Sequence, residues 1–169
     1  MSEPLLSVRD LRVSFTMDEG LVRAVDGTSF DVLPGQVLGV VGESGCGKSV
    51  TMRAVLQLVE KPGRITSGSI RFRRRDSTES IDLARLAPRG AEMRDIRGAE
   101  IALIPQEPMA AFSPVHTVGD QIIEAILLHG HRWQEKGRKL TRAEARDITI
   151  GLFRDVGISM PEQRVDAYS

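Results

Sequence analysis

The segment Gly42–Ser49, with the sequence GESGCGKS, constrains this chain more than any other part of it. It matches the pattern G-x-x-x-x-G-K-[ST], which needs a strand before it and a helix after it. The run Val37–Val41 is apolar on both faces, which predicts a buried central parallel strand. From Lys48 onward apolar residues recur at helical spacing, up to a stop signal at Lys61–Gly63. The sequence therefore predicts a glycine-rich loop between a strand and a helix.

A loop of this kind binds phosphate groups. Its glycines let the backbone N–H groups point inward at phosphate oxygens, and the helix N-terminus adds partial positive charge. Lys48 is expected to reach the β- and γ-phosphates, and Ser49 to place its hydroxyl on Mg²⁺. The expected ligand is ATP with Mg²⁺. The candidate nucleotide-binding residues in and beside the loop are Gly42, Glu43, Ser44, Gly45, Cys46, Gly47, Lys48, Ser49 and Val50. The alternative, a glycine-rich turn with a surface lysine, requires a chance match to the whole pattern.

Cys46 is the only cysteine, so the chain cannot form an internal disulfide, which is typical of proteins from a reducing cytosol. It occupies a variable position of the loop pattern. It is either a regulatory thiol, since a helix N-terminus makes a thiol more reactive, or a small residue that fits the loop. We favour the second interpretation.

Composition limits the other classes of function. The 169 residues suit one compact domain, and 41% of them are hydrophobic, enough for a buried core. The formal net charge is zero, which gives no general attraction to nucleic acid or to an anionic membrane. The polar start of the chain shows no secretory signal, and its apolar runs are too short to span a bilayer.

Elsewhere the pattern predicts strands within residues 5–33, a strand near Ile70–Phe72 and a short buried strand at Ile101–Ile104. Residues 117–129 have helical spacing. A last helix is predicted to open with a capping box, to bury one apolar stripe and to end at a glycine. The capping box consists of Thr141 and Glu144, the apolar stripe consists of Ile148, Leu152 and Val156, and the terminal glycine is Gly157.

The loop, together with Ile104–Met109, Ala111–Val115 and Thr117–Ile122, resembles the ATP-binding subunits of ABC transporters, most of all those of the oligopeptide and dipeptide importers. The resemblance implies an α/β P-loop NTPase fold with a recA-like core, an antiparallel β subdomain and a helical subdomain, incomplete at the C-terminus. It also implies one domain, with the β subdomain and phosphate-loop core in residues 1–105 and the Q-loop and helical subdomain in residues 106–169.

The same resemblance assigns roles to two further residues. Gln106 matches the Q-loop glutamine, which coordinates Mg²⁺ and holds the attacking water, so Lys48 and Gln106 are the expected catalytic residues. The family often has an aromatic residue where this chain has Pro105. Phe15 matches the aromatic residue that stacks on adenine, and a core phenylalanine at a strand end is an equal alternative.

The implied partners are integral-membrane permease subunits, met through residues 108–122, and a second ATP-binding subunit; nucleic acid is not expected. The chain would then lie at the cytoplasmic face of the membrane, held there by its partners. The arginine-rich run 71–75 is interpreted as a solvated strand edge beside acidic residues. His116, His129 and His131 receive no catalytic or metal-binding role.

Three motifs of the family are not found in the sequence: the signature, a strand ending in Asp-Glu, and the switch histidine. We therefore expect a truncated ABC ATPase that alone binds ATP weakly and does not hydrolyse it. The alternatives are a non-catalytic nucleotide-binding module, a small-molecule kinase with the same loop, and an ABC ATPase that acts on DNA. The Q-loop segment argues against the kinase, and the zero net charge against the DNA-acting ATPase.

Overall fold

A four-stranded antiparallel sheet forms most of the first part of the chain. In the computed structural model, which describes residues 3–74, 77, 79–130 and 139–168, contacts divide the chain into two units, Met1–Ile101 and Ala102–Ser169. The sheet belongs to the first unit and has the strand order β2-β1-β3-β4. Its strands are β1 (Leu6–Met17), β2 (Gly20–Val32), β3 (Gly63–Arg73) and β4 (Ser80–Asp82). The strands predicted within residues 5–33 and at Ile70–Phe72 are confirmed.

One face of this sheet carries the core of the first unit. Val8, Leu11 and Val13 of β1 are fully buried and pack with residues of two short helices. The first helix is α1 (Lys48–Val55) and the second is α2 (Ala91–Ile96). Burial of these apolar side chains is the main driving force for assembling the unit.

Helix α1 begins at Lys48, as the loop pattern predicts, but it ends earlier than predicted. It stops at Val55, and Gln57 adopts a left-handed conformation with φ 54° that no helix can continue. The stop signal at Lys61–Gly63 therefore does not end the helix; Gly63 instead begins β3. A residue other than glycine in this conformation is costly, so packing around the turn must hold it there.

The predicted central parallel strand Val37–Val41 and the predicted short buried strand Ile101–Ile104 are both wrong for this structure. Val37 is 94% exposed, Val41 93% and Ile104 87%, and Ile101 makes only a bridge to Arg97. A parallel strand obtains its hydrogen bonds from strands beside it. Among the described residues none pairs with residues 37–41. Hydrophobicity predicted burial here, but burial also requires packing against other elements, and Val37 and Val41 remain almost fully exposed.

The second unit is helical. A 3₁₀ turn at Pro108–Ala111 precedes α3 (Val118–His129), α4 (Arg142–Asp155) and α5 (Pro161–Arg164). The helix predicted over residues 117–129 is confirmed, with Thr117 as its N-cap. The capping box that opens α4 is also confirmed: Thr141 accepts from the Glu144 backbone, and Glu144 accepts from the Thr141 backbone. Gly157 follows α4 with φ 76°, as a C-terminal glycine should.

The buried face of α4 differs from the prediction. Ile148, Leu152 and Val156 are 39%, 44% and 72% exposed, so the predicted inner stripe was wrong. The residues that are buried instead are Ala145, Thr149, Ile150 and Phe153. Both faces of α4 carry apolar residues, so spacing alone could not choose between them. The face with Phe153 is the one that packs, and Thr149 is tolerated there because its hydroxyl donates to the Ala145 carbonyl at 2.8 Å.

Candidate functional site

The phosphate-loop candidate at Gly42–Ser49 has the backbone that its glycines permit. Gly45 and Gly47 have φ values of 84° and 92°, in the left-handed region that other residues rarely adopt. Gly47 is also the N-cap of α1, directly before Lys48. The loop therefore leads into the positive end of a helix, as a phosphate-binding loop does.

Gly47 fixes the loop against the sheet. A Cβ atom at this position would lie 2.3 Å from the Ala24 carbonyl oxygen, so only glycine lets the two backbones approach so closely. On the helix side, the buried Thr51 donates its hydroxyl to the Gly47 carbonyl at 2.9 Å. The loop is held between β2 and the first turn of α1, which gives it a defined position.

Lys48 lies across the loop. Its ammonium donates to the Gly42 carbonyl at 2.8 Å and to the Glu43 carbonyl at 2.6 Å, and it lies 3.5 Å from the Cys46 sulfur. Phosphate oxygens carry negative charge and accept more strongly from an ammonium than neutral carbonyls do. Lys48 can therefore exchange these carbonyls for phosphate oxygens without leaving the loop.

The positive end of α1 has no competing negative group of its own. Gly47 supplies no capping side chain, and the first turn of α1 contains no acidic residue. The first N–H groups of a helix have no partner within it. In α1 these groups include that of Ser49, which is exposed. An anion with several acceptor oxygens would satisfy these donors. Val50, next in the helix, is partly buried against the core, so its side chain serves packing.

Phe15 lies on β1 opposite Val22 of β2 and Gly63 of β3. Its ring covers Gly63, where an added Cβ would lie 2.5 Å from the ring. Val22 lies two residues before Ala24 on β2, a distance of about 7 Å along the strand. Ala24 is the residue whose carbonyl faces Gly47 of the loop. Phe15 therefore belongs to the same region of the first unit as the loop. Its half-buried ring packs against the edge of the core.

Gln106 lies in the second unit, exposed at a bend before the 3₁₀ turn. The segment after it carries exposed apolar side chains, Met109 and Val115, whereas Phe112 is half-buried. Gln121 of α3 holds this segment: it accepts from the Ser113 N–H at 2.7 Å and donates to the Ser113 carbonyl at 3.1 Å. Sequence analysis did not predict this role of Gln121, because nothing in the local pattern marks an amide that bonds to a preceding loop.

Within residues 3–74, 77, 79–130 and 139–168, no group of three or more His, Cys, Asp or Glu side chains is arranged to hold a metal ion. His131 lies outside the described residues. None of the described helices combines the length and the apolar character that crossing a membrane requires.

Comparison with known proteins shows the family of the chain. Residues 25–166 match the family model described as ABC transporter. The chain is 42% identical over 165 residues to "Probable peptide ABC transporter ATP-binding protein y4tR" of Sinorhizobium fredii, covering 97% of this chain and 44% of that protein. It is 42% identical over 167 residues to "Dipeptide transport ATP-binding protein DppD" of Bacillus subtilis, covering 98% and 45%. The chain thus spans about half the length of these curated relatives.

A solved structure supports the fold. The ATP-binding cassette MJ0796, in a dimeric post-hydrolysis state bound to ADP and Pi, matches with a TM-score of 0.72 at 16% identity. The match covers 96% of this chain and 61% of that one. Together with the family model, this match shows the fold of an ABC ATPase of the P-loop NTPase class. The family model covers most of the chain, including the phosphate loop, and the chain belongs to the ABC transporter family.

Proposed function

We propose that the chain is the ATP-binding, energy-coupling part of an ABC importer for peptides or similar small solutes. The observation that carries the proposal is the loop Gly42–Ser49, with its left-handed glycines, uncapped helix N-terminus and positioned lysine. The names of the relatives, which include dipeptide and oligopeptide transport proteins, support the choice of substrate class.

In this proposal the backbone N–H groups of the loop and the Lys48 ammonium bind the phosphates of ATP. Ser49 fits a role in holding Mg²⁺, because its side chain is exposed in the first turn of α1 beside Lys48. Gln106 is the second expected Mg²⁺ ligand and orients the attacking water. Bound Mg²⁺ would neutralise charge on the phosphates during hydrolysis. Cys46 and the other loop residues shape the site.

The proposed partners are permease subunits in the membrane and a second ATP-binding subunit. Residues 108–122 support the first contact, since Met109 and Val115 expose large apolar side chains on a segment that Gln121 holds in place. Apolar side chains on a fixed surface are typical of protein interaction sites. Such contacts would place the chain at the cytoplasmic face of the membrane.

An uptake assay tests the transport proposal. In the organism that encodes this chain, deleting its gene is expected to lower the uptake of a labelled dipeptide, and restoring the gene should return it. A gene carrying Arg94→Ala, an exposed change outside the site, serves as a control that should also restore uptake. Unchanged dipeptide and oligopeptide uptake in the deletion strain would contradict the proposed substrate class.

The role of Phe15 in adenine binding can be tested separately from phosphate binding. Phe15→Leu keeps an apolar side chain over Gly63 but removes the flat ring, so we expect the affinity for Mg-ATP to fall about tenfold, the size of one base-stacking interaction. The affinity for magnesium tripolyphosphate, which has no base, should not change. Calorimetry with both ligands makes the comparison. An equal loss for both ligands, or none for ATP, would show that Phe15 is only a core residue.

A further inference from the structure

We infer that Arg97 is a positioning residue for the phosphate loop, because its guanidinium holds the opposite end of the helix that begins in the loop. The inference rests on the proposed nucleotide binding and adds a residue that neither the loop pattern nor the resemblance pointed to. Its support is a pair of hydrogen bonds from Arg97 to the turn that ends α1.

Arg97 binds the C-terminal end of α1 at two points. Its Nε atom donates to the Leu56 carbonyl at 2.7 Å, and a terminal nitrogen donates to the Gln57 carbonyl at 3.1 Å. Leu56 is the C-cap of α1, where the last carbonyls have no partner within the helix and carry partial negative charge, and Gln57 follows it directly. A guanidinium presents several donors in one plane, so one side chain can satisfy both carbonyls.

Arg97 is itself firmly held. It follows α2, whose Met93 and Ile96 are fully buried, and its own N–H donates to the Met93 carbonyl at 3.1 Å. The guanidinium is partly buried, and this desolvation lowers its pKa from the usual value, although an arginine remains charged. The charge is thus partly shielded from water where it meets the two carbonyls.

The turn that Arg97 binds is the strained one. Gln57 has its left-handed φ of 54° there, and its side chain donates to the Leu83 carbonyl at 2.7 Å. Arg97 and Leu83 therefore fix this turn from two directions. A non-glycine residue keeps such a conformation only when its surroundings hold it.

A shift at this end would reach the phosphate loop. Helix α1 has only eight residues, about 12 Å of helix, and hydrogen bonds make it a stiff rod. Its N-terminal turn carries Lys48 and the N–H groups that bind phosphate in the proposed function. Binding of this kind depends on donor positions within a fraction of an ångström. Loss of the Arg97 contacts should therefore misplace the donors at the other end of α1.

The test measures two ligands on the 169-residue chain. Arg97→Ala is expected to bind both Mg-ATP and magnesium tripolyphosphate about tenfold more weakly in calorimetry, because it affects the phosphate donors and not the base. Methylguanidinium at low millimolar concentration should restore much of the affinity by occupying the vacated position. Arg53→Ala is the matched control: it removes an exposed ion pair with Glu60 at the same helix end and should leave both affinities unchanged.

Circular dichroism and thermal unfolding establish that each variant is folded at the temperature of the titration. Unchanged affinities in folded Arg97→Ala would overturn the inference, as would a loss that methylguanidinium does not reverse. Should Arg97→Ala fail to fold, Arg97→Lys replaces it. The lysine ammonium is expected to satisfy only one of the two carbonyls, so the affinity for both ligands should fall about threefold. Wild-type affinity in Arg97→Lys would overturn the inference. A wild-type chain that binds neither ligand would instead overturn the proposed function.

Discussion

Replacing Lys48 with alanine is expected to weaken Mg-ATP binding by about 100-fold, because the ammonium would make two charge-assisted hydrogen bonds to phosphate oxygens, worth about 1.5 kcal/mol each or more. The side chain is already in the loop, bonded to the Gly42 and Glu43 carbonyls. Binding therefore requires only a local exchange of acceptors. Calorimetry with ATP and Mg²⁺ on both proteins gives the ratio of affinities.

The same substitution should hardly affect folding. Both of the carbonyls that Lys48 contacts belong to exposed residues, which water can solvate, so the free energy of unfolding should change by less than about 0.5 kcal/mol. Lys139→Ala, which removes an exposed lysine from the second unit, is the matched control and should change neither property. A Lys48→Ala protein that is stable and binds ATP as tightly as the wild type would show that the lysine does not contact phosphate.

Gly47→Ala is expected to produce the largest loss of stability, about 2–4 kcal/mol, and to abolish measurable ATP binding. The new Cβ would lie 2.3 Å from the Ala24 carbonyl oxygen, and the φ of 92° would be strained for alanine. The collision is with backbone, so no rotation of a side chain can relieve it. The loop must move away from β2, and the N–H groups of α1 move with it.

Urea unfolding of the two proteins measures this effect. Gly39→Ala is a suitable control in the same unit, since an added Cβ there meets nothing within 4 Å and the backbone has no positive φ. The control should remain within about 0.5 kcal/mol of the wild type. If Gly47→Ala behaved like the control, the close contact between the loop and the sheet would not exist in solution.

Several elements of the fold could be predicted because local residues determine them. The strands of the antiparallel sheet show alternation, and the capping box of Thr141 and Glu144 needs only residues three apart. The start of α1 follows from the loop pattern. The ends of elements depend on more distant contacts: α1 stops at Val55 because a turn fixed by Arg97 and Leu83 follows it.

Burial was harder to predict than secondary structure. Residues 37–41 are apolar enough for a central strand. A strand is buried only when other strands and helices pack around it, and a local sequence pattern cannot predict whether they do. In α4 apolar residues occur on two faces, and the choice of Phe153 over Leu152 depends on contacts with other helices. Both errors arise because hydrophobicity measures the tendency to be buried and not the presence of a partner.

For the candidate site, the loop pattern alone predicted that Lys48 and Ser49 lie at the start of a helix, and the structure confirms that position. The loop pattern also requires glycine at residue 47. The reason, the close contact with the Ala24 carbonyl, can be seen only in the structure. Arg97 could not have been identified in this way. It lies 40 residues from Gln57 in a stretch without a motif, and only the fold brings the two together.

The most direct test of the central claim, that the loop Gly42–Ser49 binds a triphosphate, is isothermal titration of the folded 169-residue chain with ATP, with and without Mg²⁺. The account predicts saturable binding that is stronger with Mg²⁺ and falls about 100-fold in Lys48→Ala. A folded wild-type chain that showed no Mg²⁺-dependent affinity for ATP at any accessible concentration would contradict it.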